Sequence, residues 1–173
     1  RSATTSEVHF ISSSKVHGIF TVFLPREKGH EYYLDHGVGK FYVLTNDVGK
    51  NYRVLAVPVI TPDIKFSEVI VPHRKTVSIE DIDVFKSHIV VHERKGGWSQ
   101  LRVGKISNRK FHIVSFPDRV SSISSGVNLE FSANTYRIDY ESYAIPDTTY
   151  QYHMDKKILR LLKRKVVLGG YIA

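Results

Sequence analysis

FTVFLPRE (residues 20–27), SEVIVPHR (67–74) and HIVSFPDR (112–119) are one phrase written three times: a β-rich run closed by proline, with arginine one or two residues later. Pro25, Pro72 and Pro117 are spaced 47 and 45 residues apart (72 − 25 and 117 − 72). A second series keeps the same step, since Tyr52-Arg53-Val54-Leu55 after Gly49 recurs as Gln100-Leu101-Arg102-Val103 after Gly97. Between these marks lie KFYVLTN (40–46), YRVLAVP (52–58) and HIVVHER (88–94), short alternating runs of Val, Ile, Tyr and Phe that predict strands. Turn signals separate them: Gly37-Val38-Gly39, Asn46-Asp47-Val48-Gly49, Lys95-Gly96-Gly97, Ser107-Asn108 and Pro146-Asp147. Four short strands per period of about 45 residues is the unit of a β-propeller blade. The expected fold is therefore all-β, a partial β-propeller of three to four four-stranded blades, with a β-sandwich as the alternative that the same alternation permits. Such an arc should leave an apolar sheet face uncovered on each terminal blade. Ile158–Leu168 has partly helical spacing, but β-branched Val166 and Val167 favour a strand.

Composition narrows the function. The 173 residues are 42% hydrophobic and 24% charged, ordinary for a globular chain. There is no cysteine, which excludes disulfides, zinc-thiolate sites and cysteine nucleophiles. No run approaches the roughly 18 apolar residues of a membrane span, and no membrane partner is expected. The first residue is Arg1, from which a processed product, an excised domain or a fragment is expected. Lys and Arg exceed Asp and Glu by 25 to 17, for a net charge of +8. The one dense basic run, Lys156–Lys165, carries no interleaved aromatics, so a nucleic-acid partner is not expected.

Candidate chemistry is sparse. No Gly-x-Ser-x-Gly elbow occurs, and Ser121–Ser125 with Gly126 reads as a flexible loop, as does Ser12–Ser14. His88 and His92 have the i, i+4 spacing of a metal pair, but on a strand four residues span about 13 Å, too far to share one ion. Gly37-Val38-Gly39 lacks the third glycine of a dinucleotide fingerprint and precedes a strand. No catalytic residue, cofactor or metal is expected within this chain. Trp98 is either a packed aromatic opening a strand or an exposed anchor for a protein partner. His30-Glu31 and Asp35-His36 form a dense cluster of acid and base groups without a His-Glu-x-x-His pattern, and read as a structural tie.

The same residues carry a family resemblance that spans nearly the whole chain. Thr5-Ser6-Glu7-Val8, then Leu24-Pro25-Arg26-Glu27-Lys28-Gly29-His30-Glu31-Tyr32-Tyr33-Leu34-Asp35-His36, resembles the propeller domain of the prolyl oligopeptidase family, closest to its oligopeptidase B branch. Lys40–Asn46, Glu93-Arg94 with Gly97 before Leu101-Arg102-Val103, and Pro146-Asp147-Thr148-Thr149 follow in the same order. Of these, Pro25, Arg26, Gly29, His30, Glu31, Tyr32, Asp35, His36, Pro146 and Asp147 form the structural signature. The resemblance implies a two-domain serine peptidase, in which an α/β-hydrolase domain carries the Ser, Asp and His and a seven-bladed propeller filters substrates by size. That branch cleaves short peptides after Arg or Lys. Residues 1–166 would be partial propeller, and 167–173 the start of a linker towards the hydrolase domain. The implied partners are that domain and short peptides, in the cytoplasm or an organelle. An independent β-rich protein-binding module without peptidase activity remains the competing reading.

Overall fold

The computed structural model describes residues 4–14 and 17–167. The chain forms two compact units, residues 1–78 and 79–173. The expected linker falls almost wholly outside the described residues, because only Val167 of 167–173 is among them.

The first unit begins with a two-stranded ribbon, β1 (His9–Phe10) against β2 (Thr21–Val22). A four-stranded antiparallel meander follows, β3 (Tyr32–Gly37), β4 (Lys40–Thr45), β5 (Arg53–Pro58) and β6 (Glu68–Val71), in sequence order across the sheet. Central strands β4 and β5 are buried on both faces, hence their unbroken apolar runs. Phe23, Tyr32, Phe41, Val43, Leu55 and Val57 make the core, and Phe10 stands edge-on to Phe41 at 5.0 Å. The expected strand over 20–25 is shorter than its sequence suggests. Only Thr21 and Val22 pair, because β2 has the two-residue β1 as its sole ladder partner among the described strands.

The second unit holds two more four-stranded meanders. One is β7 (Val77–Val84, whose first two residues precede the unit), β8 (His88–Lys95), β9 (Trp98–Lys105) and β10 (Lys110–Ile113). The other is β11 (Ser121–Ser125), β12 (Thr135–Ser142), β13 (Thr148–His153) and β14 (Ile158–Arg164). Gly96 and Gly97, at φ 58° and 87°, form the two-residue turn between β8 and β9, a conformation that L side chains resist at both positions. Gly104 is opposite Phe111, whose ring occupies the space a Cβ would need. Val90, Leu101 and Val103 of one sheet and Tyr136, Ile138, Tyr140, Tyr150 and Tyr152 of the other share a single core.

Three separate meanders and a leading ribbon make this an all-β, partial β-propeller rather than a sandwich of two facing sheets. The repeat has a structural meaning. Pro72 directly follows edge strand β6, Pro117 lies just past edge strand β10, and Pro25 just past β2, so each proline ends one sheet before the next begins. Proline suits such a position because it has no N–H to give to a ladder. Tyr52–Leu55 and Gln100–Val103 likewise coincide with the third strands of their sheets.

Two expectations are corrected. Ser121–Ser125 is no flexible loop but strand β11, in full register with Ser142–Ile138 of β12. Ile123 packs on the core while Ser122 and Ser124 face outward, so alternation with a single apolar residue is enough for an edge strand. The open face of the third sheet is not apolar either. Along β12 the buried Tyr136, Ile138 and Tyr140 alternate with exposed Arg137, Asp139 and Glu141. That face is charged.

Candidate functional site

Most of the signature gathers where β3 begins. Gly29, at φ 83°, lets the chain turn so that the His30 N–H donates to the Glu27 carbonyl (3.1 Å). The turn and the β4–β5 loop border a groove of about 670 Å³ whose lining includes Pro25, Lys28, His30, Asn46 and Ile64. Pro25 leads into Arg26, whose backbone N–H donates to Glu7 Oε2 (3.0 Å) and whose guanidinium donates to Thr5 Oγ1 (3.1 Å). His30 Nε2 and Thr45 Oγ1 are 2.9 Å apart. Glu31 accepts from the Tyr52 hydroxyl (3.0 Å), and its N–H donates to Asn46 Oδ1 (2.8 Å).

Tyr32 is the centre of this tie. Its buried ring packs beside Phe23, and its hydroxyl donates to the Leu24 carbonyl (2.7 Å) while accepting from the Val8 N–H (2.9 Å). Its backbone exchanges two further bonds with the Ser6 hydroxyl, at 2.6 and 2.8 Å. The segments that flank the ribbon are thereby fastened to the first four-stranded sheet. Tyr32→Phe should lower unfolding free energy by about 1–3 kcal/mol, the usual cost of stranding buried polar groups. Urea unfolding of the two proteins checks it.

Asp35 and His36 stand apart from that knot. His36 is exposed, and its N–H donates to Asp35 Oδ1 (2.7 Å). Pro146 and Asp147 lie in the β12–β13 loop, far along the chain in the second unit. The Pro146 carbonyl accepts from the Thr148 hydroxyl (2.6 Å), and the Asp147 carbonyl accepts from the Lys165 N–H (2.8 Å). Asp147 also pairs with the Lys165 ammonium (3.2 Å). The basic run Lys156–Lys165 thus occupies the last turn and edge strand β14. Trp98 opens β9 at 41% exposure, beside the nearly fully exposed Tyr143.

One constellation in the second unit brings Ser, His and Asp together. The Tyr136 hydroxyl donates to Asp83, and His92 Nε2 lies 2.8 Å from that hydroxyl and 3.4 Å from Asp83 Oδ2. Ser125 lies beside Asp83, but its hydroxyl donates to the Gly126 carbonyl (3.2 Å). A catalytic triad needs the imidazole between serine and carboxylate, with one ring nitrogen for each. Here Asp83 is the hub, and His92 turns the same nitrogen to both of its partners. The arrangement fastens β7 and β8 to β12 instead of activating a hydroxyl. Burial and the Asp83 charge push the Tyr136 phenol well above its usual range, so it stays a proton donor. Sequence reasoning missed this cluster, because Asp83 and Tyr136 are 53 residues apart and neither sits in a motif. His88 and His92 are both on β8, as the strand assignment requires, and each has its own carboxylate partner. Ser12 and Ser14 hydrogen-bond to each other (2.8 Å) at the surface.

Glu93, a landmark of the resemblance, proves to be a buried carboxylate. It accepts from Arg102 Nε (2.8 Å) and Gln100 Nε2 (2.5 Å), both on the neighbouring β9.

Comparison with known proteins agrees with this architecture. The family model described as prolyl oligopeptidase, N-terminal β-propeller domain, matches residues 1–165. Dipeptidyl aminopeptidase BI of Pseudoxanthomonas mexicana is 30% identical over 153 residues, which cover 88% of this chain and 21% of that protein. Protease 2 of Moraxella lacunata is 22% identical over 170 residues, 98% of this chain and 24% of that protein. Oligopeptidase B from Leishmania major superimposes with a TM-score of 0.88 at 26% identity, over 99% of this chain and 26% of that one. The chain spans about a quarter of the length of these relatives.

Proposed function

Because the chain belongs to the prolyl oligopeptidase family, as a stretch of its N-terminal β-propeller domain, we propose that it is part of the substrate gate of a serine-type oligopeptidase. The nucleophile, acid and base belong to an α/β-hydrolase domain elsewhere in the same polypeptide. Residues 1–166 are the propeller portion of this proposal and 167–173 lead towards that domain. The observation that carries it is the 0.88 superposition on an oligopeptidase B over nearly the whole chain, against a quarter of that enzyme's length. In this role the propeller limits access by its channel and by domain opening, while contributing no reacting group. Cleavage after Arg or Lys in short peptides is the specificity we assign, and the cytoplasm the compartment.

The test compares three substrates on the polypeptide as its source makes it. A short peptide with an internal arginine should be cut after that residue, and a folded protein with accessible arginines should not. Release of dipeptides from a free N-terminus would replace this specificity with that named in the P. mexicana relative. The 173-residue chain alone should hydrolyse none of the three.

A further inference from the structure

The second and third sheets meet along a seam that carries two histidines, and a bare buried nitrogen on one of them suits only its neutral form. His88, at the start of β8, is 3% exposed. Its Nε2 faces Asp155 Oδ1 in the β13–β14 turn at 3.3 Å, so that nitrogen holds the proton. Its Nδ1 is buried and has no hydrogen-bond partner among the described residues. A neutral imidazole tolerates this, because the bare nitrogen is an acceptor that merely goes unused. A second proton would add an N–H with nothing to receive it, the costlier kind of buried vacancy.

The surroundings are also cationic. Asp155, the carboxylate facing His88, is shared with the Lys105 ammonium of β9 (3.1 Å). His153 of β13 also faces His88, and a charge on it would add repulsion. His112, on β10, places Nε2 2.7 Å from the Tyr152 hydroxyl of β13. It faces Lys157 of the β13–β14 turn and His88 itself. The contacts of Asp155 with His88 and Lys105, and of His112 with Tyr152, each join the second sheet to the third.

We propose that this seam is an acid-sensitive joint: protonation of His88 and His112 loosens the packing of the third sheet on the second. The inference does not depend on the peptidase reading. Burial first, then the neighbouring cations, hold both imidazoles below their usual range despite the pull of Asp155 on His88. A histidine depressed in the folded state stabilises it fully above the unfolded value of about 6.5, and that contribution drains away as pH falls towards the folded value. Loosening is thus expected on acidification and not on alkalinisation.

The experiment is amide hydrogen exchange at about pH 7.5 and about pH 5, corrected for intrinsic rates, on the polypeptide as its source makes it. Protection in β12 and β13 should fall by about tenfold or more at the lower pH, while β4 and β5 in the first unit change little. Asp155→Asn, which removes the negative charge that favours protonated His88, should deepen the loss and extend it to lower pH. His112→Phe should weaken the pH dependence without abolishing it. Resonance titration of His88 and His112 keeps the idea falsifiable should a variant fail to fold. Unchanged protection across this range, or both imidazoles titrating near 6.5 with no response in β12 and β13, would overturn it.

Discussion

Glu93→Ala is expected to lower unfolding free energy by about 3 kcal/mol, near the lower end of what breaking a buried ion pair costs. The carboxylate is 1% exposed and holds two donors, Gln100 directly opposite in the ladder and Arg102 two residues further along the same strand. Removing it leaves the Arg102 guanidinium, whose side chain is 27% exposed, without that anion. Partial contact with water spares it the upper end of the range. Replacing both partners, Glu93→Leu with Arg102→Leu, should recover most of the loss, since two apolar groups strand no charge. The neighbouring pair is the control. Arg94 Nε donates to Glu80 at 2.6 Å, a shorter contact, but both side chains are well exposed. Arg94→Ala should therefore cost under about 1 kcal/mol. Urea unfolding of the four proteins decides whether burial or distance governs these pairs. Equal losses for Glu93→Ala and Arg94→Ala would mean that water reaches Glu93.

The sequence disclosed the architecture through edges and turns, where local chemistry is decisive. Proline marks the outer strands because it cannot join a ladder from its nitrogen side, and the spacing of Pro25, Pro72 and Pro117 counted the sheets. Lys95-Gly96-Gly97 set a hairpin, since only glycine takes both positive φ values readily. Two errors came from the opposite situation. β11 was obscured because serine is a turn former by local preference, and its pairing with β12 across nine intervening residues overrides that preference. The open face of the third sheet was expected to be apolar from the generic packing of blades. TYRIDYES already alternates aromatic or aliphatic with charged residues, a polar outer face that period-two alternation predicts. The resemblance located the signature, yet the hydroxyl of Tyr32 and the carboxylate of Glu93 revealed their tasks only once their distant partners were in place. No local pattern encodes a bond between Asp83 and Tyr136.

That last bond supports the other large effect. Tyr136→Ala should cost about 3–5 kcal/mol, because a fully buried ring in the shared core leaves a cavity. Tyr136→Phe keeps the ring, which stands edge-on to Phe85 at 5.8 Å, and should cost about 1–3 kcal/mol through the lost hydroxyl alone. The difference between the two variants separates packing from polar fastening. Acid provides an independent check. Burial acts to raise the Asp83 carboxyl, but hydrogen bonds from His92 and Tyr136 outweigh it and hold the group below its usual range. A depressed carboxylate stabilises the fold above its unfolded value of about 3.9 and loses that contribution as pH falls through the folded value. Asp83→Asn should then show a shallower fall of stability below about pH 4 than the unaltered chain, together with a lower stability at neutral pH. A parallel fall in both would mean that Asp83 is already solvated. The carboxylate would then contribute nothing across the seam, and the union of the second and third sheets would rest on their shared core and on the contacts made by Asp155 and Tyr152.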